Sequence, residues 1–182
     1  MRNFVLLAGV SLALSACGSA DNEPAAPAET ESAATEPAKA SAELASMPTV
    51  ALSGNAATVM MKDRHEWFEE MGDSFKVLNR QVKSDSPDMA AVKEATALIA
   101  AKSGELPSRF APGTGPEAGK TEAKANIWEN PDDFMAKAKD FHTAALALDT
   151  VAQAGDVAGF KEGFGKTGGT CKACHDTYRE ED

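Results

Sequence analysis

Apolar side chains recur every three or four residues through most of the chain beyond residue 55, the pattern of helices that bury one face. From about Ala56 to Val82 the inward stripe reads Met60, Arg64, Trp67 and Phe68, Met71, Phe75, Leu78 and Val82. Ser86, Pro87 and Asp88 then supply an N-cap, a proline at the first helical position and an acid in the first turn. They predict a second helix running to about Lys102, with Met89, Val92 and Ile99 inward and Gly104 as its stop. Residues 103–126 carry Gly104, Pro107, Pro112, Gly113, Gly115, Pro116 and Gly119, and read as a long irregular crossover. Asn130-Pro131-Asp132-Asp133 opens a third helix, with Phe134, Ala138, Phe141, Ala145, Leu148 and Ala152 on one stripe and Gly155 at its end. Asp156 caps a fourth, whose face reads Phe160, Phe164, Gly168, Cys171, His175 and Tyr178. Two short links flanking one long one predict an all-α, antiparallel four-helix bundle with its long crossover between helices two and three.

The first 49 residues follow a different pattern. Met1-Arg2-Asn3 is a short positive start and Phe4–Leu14 an apolar run, followed by small residues up to Cys17, the layout of a secretory signal covering residues 1–16. Its apolar run would span only about 16 Å as a helix, half of a bilayer's hydrocarbon core of about 30 Å. Leu14-Ser15-Ala16-Cys17 resembles the lipobox of bacterial lipoproteins, which implies cleavage before Cys17, lipidation of its sulfur and attachment to a membrane on the periplasmic side; ordinary cleavage leaving a free thiol is the alternative. Residues 17–49 are rich in Ala, Pro, Glu, Ser and Thr, too poor in apolar surface to order themselves, and read as an acidic tether. Every Trp and Tyr, and every Phe except Phe4, falls in residues 50–182, the predicted folded domain.

Composition narrows the class. A net charge of -10 and a pI near 4.8, without clustered Lys or Arg, exclude a nucleic-acid partner. Scarce β-branched residues and abundant Ala support helix throughout. No nucleophile–base pair or acid pair is recognisable, so the chain is expected not to be an enzyme.

The candidate chemistry is Cys171-Lys172-Ala173-Cys174-His175, which matches the attachment pattern of c-type haem. Two thiols can reach the two vinyl groups on one edge of a porphyrin, and the following imidazole then projects towards the iron. Three other readings compete: a structural zinc site, which needs four ligands; a redox dithiol, which normally accompanies a βαβ pattern; and a plain disulfide. His65 and His142 lie in no paired metal motif.

Only seven residues follow His175, so a second axial ligand has to come from upstream or be missing. In this the chain resembles the class II c-type cytochromes, and most of residues 57–182 resemble cytochrome c′, itself a standard example of the four-helix bundle. The matching stretches are Met61-Lys62-Asp63-Arg64 through Met71-Gly72, Ile127-Trp128-Glu129-Asn130-Pro131 with Phe134, and Phe164-Gly165 through Cys171-Lys172-Ala173-Cys174-His175-Asp176 with Tyr178-Arg179.

The resemblance implies one covalent haem c per chain on Cys171 and Cys174, with His175 as axial iron ligand. It places the distal residue four positions after Arg64, at Phe68, whose ring has no lone pair for iron. A five-coordinate iron behind an apolar distal wall would admit NO and CO, implying gas binding with a role in NO capture or tolerance; electron transfer is the alternative, with the redox partner unidentified. Met71, and Met60 beyond it, would ligate only with a shift of register. Arg64 would either meet a haem propionate or extend to solvent; Arg179, one turn after His175, and Tyr178 belong by resemblance to the proximal side. His65 stands where the family would have Gln. The resemblance also implies a homodimer through the first two helices.

Overall fold

The computed structural model describes residues 43–181. The predicted signal peptide, Cys17 and most of the predicted tether lie outside the described residues. Within them the chain is helical: α1 (Gly54–Val82), α2 (Met89–Glu105), α3 (Asn126–Glu129), α4 (Pro131–Gln153) and α5 (Val157–Tyr178), with 3-10 turns at Leu106–Arg109 and Pro116–Ala118. No strand occurs among the described residues, which hold one isolated antiparallel bridge, Ala123 with Arg179. The four long helices form the expected bundle. α5 lies along α4, α4 along α2 and α2 along α1, whereas α1 and α5 meet only sparsely.

Leu78, Val92, Ile99, Phe134, Leu148 and Phe160 are almost completely buried at the centre, each contributing about 1.5–3 kcal/mol of burial free energy. The stripe predicted for α4 is buried in full. That predicted for α1 is shifted: Ala57 and Ser74 are buried, while Met60, Phe75 and Val82 are only half-buried.

Caps fix the helix starts. Pro131 occupies the first turn of α4 with Asp132 and Asp133 beside it, where acids meet the positive end of the helix dipole. Gly155 turns the chain at φ +76°, and Asp156 then accepts from the Gly159 N–H at 2.9 Å to start α5. The predicted start of α2 is corrected. Asp88, not Ser86, is its cap, accepting from the N–H groups of Ala90 and Ala91 at 3.0 and 3.3 Å. Gly104 does not stop α2 either; it is buried inside the helix, which runs to Glu105 and tightens directly into the following 3-10 turn.

The crossover folds around Arg64. Arg64 is 4% exposed, and its guanidinium donates to Thr114 Oγ1 at 3.0 Å, Thr114 O at 2.9 Å, Thr121 Oγ1 at 2.9 Å and Arg109 O at 3.4 Å. Phe110 lies 4.8 Å from it, ring face on. Extension of Arg64 to solvent is therefore overturned: oxygens of the crossover reach the charge first. Burial with only neutral oxygens as acceptors lowers its pKa to about 10, far enough above neutrality to keep it charged. Trp128 closes the same layer, its Nε1 donating to Phe110 O and Ala111 O, each at 3.1 Å.

Residues 43–49, read as the end of the tether, lie against the bundle instead. The Ala45 N–H donates to Gly104 O at 2.8 Å, Leu44 and Met47 pack on the core, and further on the Leu52 N–H donates to Pro112 O at 2.8 Å. Gly113 permits the last contact, because a Cβ there would lie 2.1 Å from Leu52 O. Two apolar side chains in a polar stretch are too weak a pattern to reveal such docking in sequence.

Replacing Arg64 by Leu removes the donor from four oxygens, two of them on fully buried Thr114. We expect a loss of about 3 kcal/mol or more, read as a lowered denaturation midpoint; an unchanged midpoint would show that the crossover holds without it.

Candidate functional site

At roughly 100° per residue, Phe164, Gly168, Cys171 and His175 share one face of α5 at spacings of four, three and four. That face is turned to α1, because Phe164 lies 6.1 Å from Phe75, centroid to centroid. On α1, Phe68 and Phe75 are seven residues apart and border the same seam. Phe68 stands edge-on to Trp67 at 4.9 Å and 6.2 Å from Phe110, and remains half-buried. Phe68, Phe75, Phe164, Cys171 and Cys174 are thus apolar side chains on the core's edge that the protein alone does not fully cover. Apolar side chains left part-exposed on two facing helices are a surface suited to a ligand. A Cβ added at Gly72 or Gly168 would meet nothing within 4 Å, so there is free space on both walls.

Both thiols are free. Burial pushes Cys171 up to about 11, with Cys174 adding to the rise. Cys174 is likewise pushed up to about 11 by burial, with Lys137 opposing and Asp133 reinforcing. His175 is exposed, yet partial desolvation, and then the Arg179 cation, hold its pKa below the ordinary value. At neutral pH it therefore carries the lone pair a metal ligand needs. With Asp176, Arg179, Glu180 and Glu181 it lines a cavity of about 230 Å³.

The other predicted site residues divide. Met71 is 5% exposed among Trp67 and Leu78 in the core, whereas Phe68 and Phe75, on the same stripe of α1, are half-buried. Arg64 belongs to the crossover layer already described. His65 is exposed, its Nε2 3.6 Å from Glu69 Oε1. The Tyr178 hydroxyl donates to Asp133 Oδ2 at 2.6 Å, and its ring is edge-on to Phe134 at 5.4 Å, so it fastens the end of α5 to the start of α4. Arg179 leaves the helix in extended conformation, its Nε donating to Glu122 Oε2 at 2.8 Å. Thr114, Thr121, Glu122 and Asp133 were not legible as supporting residues, because each lies far along the chain from the group it holds.

Among the described residues no group of three or more His, Cys, Asp or Glu side chains could hold a metal ion, which disfavours the zinc reading. The α-helical setting of the two cysteines likewise lacks the βαβ unit of a redox dithiol. A flat, largely apolar group with two points of covalent attachment and one axial nitrogen fits the seam: open walls, two thiols on one helix, and a neutral imidazole one residue beyond. The fold and the site together define a helical-bundle protein of the c-type haem class.

The chain belongs to the cytochrome c′ family, whose model matches residues 59–179. It is 41% identical over 117 residues to cytochrome c′ of Pararhodospirillum photometricum, covering 64% of this chain and 93% of the relative. A solved cytochrome c′ described for ligand-controlled dimer dissociation superposes with a TM-score of 0.65 at 28% identity, covering 71% of this chain and all of the other. The nitric oxide complex of a leucine-to-isoleucine variant of cytochrome c prime from Alcaligenes xylosoxidans gives a TM-score of 0.62 at 31% identity, covering 69% and 97%. Family membership makes this a haem-binding protein and implies haem c as its cofactor.

Alkylation of the haem-free folded chain tests the burial of the thiols. Its rate should rise through an inflection near 11, against about 8.5 in the denatured chain. Below about 8.5 both states hold neutral thiols and the folded state keeps its full stability; from there to about 11 the unfolded chain loses protons the folded one retains, so stability falls across that window. A folded-state inflection near 8.5 would mean the seam is open to water.

Proposed function

We propose that this chain is a membrane-tethered, periplasmic gas-binding cytochrome whose five-coordinate haem iron takes up NO, and also CO, in NO capture or tolerance. When bound, the haem supplies an iron centre able to accept a diatomic gas. Cys171 and Cys174 would hold it by thioether bonds and His175 would supply the axial nitrogen. Phe68 would wall the opposite side with an aromatic edge, excluding water and offering neither a lone pair to the iron nor a hydrogen bond to a polar ligand.

The observation that carries this reading is a contrast in exposure along one stripe of α1. Phe68 is left half-buried at the edge of the core, whereas Met71, a thioether that could have served as a sixth ligand, is packed in it. The nitric oxide complex of the Alcaligenes relative supports NO as the ligand. The reading includes one haem c per chain and a homodimer through α1 and α2, the latter supported by the dimer described for a relative. Lipidation of Cys17, outside the described residues, would supply the tether's anchor.

Two experiments test it. Holoprotein matured in a host with haem-attachment machinery should retain haem through denaturing electrophoresis, show a high-spin ferric spectrum and bind CO and NO when reduced. Phe68→Met should turn the spectrum low-spin and slow CO binding by at least about tenfold, equivalent to about 1.4 kcal/mol or more. A low-spin parent protein would replace gas binding by electron transfer. Separately, Cys17→Ser should move the protein from the membrane to the soluble fraction, and unchanged membrane association would exclude the lipid anchor.

A further inference from the structure

The end of the crossover and the end of α5 form a two-part clasp beside His175. Its backbone part is the Ala123–Arg179 bridge, in which the Lys124 N–H donates to Tyr178 O at 2.9 Å and the Glu180 N–H to Glu122 O at 2.8 Å. Its side-chain part is the Arg179 Nε donation to Glu122 Oε2 at 2.8 Å. Arg179 and His175 line the same cavity of about 230 Å³. The other side chains around that cavity, Asp176, Glu180 and Glu181, are all acidic.

We propose that Glu122 is a positioning residue that holds the Arg179 guanidinium beside the axial imidazole, and thereby sets the reduction potential of the iron that His175 ligates. The inference rests on the haem reading above. The physical case has three steps. An arginine side chain has several rotatable bonds and about 2 kcal/mol of rotamer entropy, so one at a helix end among carboxylates adopts no single position unless something fixes it. The bridge fixes its backbone, and the Glu122 carboxylate, accepting from Nε at 2.8 Å, orients the head group. Finally, reduction of ferric iron removes one positive charge from the site, so a cation held nearby favours the ferrous state by Coulomb repulsion in the ferric one.

Glu122 acts here through geometry, and this separates it from an independent surface charge. Both partners are partly exposed, with side chains 41% and 46% accessible. Their ion pair is therefore worth little to stability, and its effect on the iron should weaken with added salt.

The test is a double-mutant cycle on the holoprotein, with the midpoint potential as readout at low ionic strength. Arg179→Gln should shift the potential downward in the parent. The same substitution made together with Glu122→Gln should shift it far less, because the guanidinium has already lost the carboxylate that orients it. Equal shifts in both backgrounds would overturn the proposal and make the two residues independent charges; so would no shift at all. Circular dichroism and haem content, both expected unchanged in the variants, show whether a shift reflects a damaged fold. Coloured proteins that fail the cycle overturn the clasp alone, whereas a parent protein without covalent haem overturns the haem reading and the clasp with it.

Discussion

The buried Arg64 guanidinium is the constraint on which the site end of the molecule depends. A charge cannot sit at 4% exposure without hydrogen-bond partners, and here they come from the stretch between α2 and α3, residues 106–125, whose regular structure is two short 3-10 turns. Thr114 and Thr121 bind that stretch to α1. The next residue, Glu122, together with Ala123 and Lys124, binds it to the end of α5. One crossover thus connects the two helices that otherwise barely meet.

That indirect connection explains how a seam can stay open in a packed bundle. α5 is held on its other side by α4: Gly163 admits the Leu148 side chain closely, Thr167 donates to Ala144 O at 3.3 Å, and Tyr178 closes the end on Asp133. α1 is held by α2 and the crossover. Neither helix needs the other for its packing, so the space between them can be lined with aromatic rings and thiols that are left half-covered for a flat group to complete. The same separation keeps Cys171, Cys174 and His175 on a face that is partly desolvated, where the thiols stay protonated and the imidazole stays neutral.

The helices, the bundle order and the Cys171-Lys172-Ala173-Cys174-His175 motif were legible in the chain because each is written in local spacing. A stripe such as Phe134, Ala138, Phe141, Ala145, Leu148 and Ala152 has only one helical solution, and a five-residue attachment motif needs no partner elsewhere. Helix ends were less legible where two caps competed. Ser86 and Asp88 both satisfy the local rule, and only the packed turn, with Gln81 Oε1 accepting from the Asp88 N–H, selects the second.

What tertiary structure alone decided is where the polar and irregular parts went. Nothing near Arg64 in sequence says that residues fifty or more positions away accept its hydrogen bonds, that Leu44 and Met47 dock on the bundle, or that of two residues on one stripe Met71 is covered while Phe68 is left half-buried. Sequence spacing fixes which residues share a helix face, a property of the backbone helix itself. Which face meets solvent, core or cofactor depends on how several helices pack at once, and long-range contacts of that kind leave no local period to read.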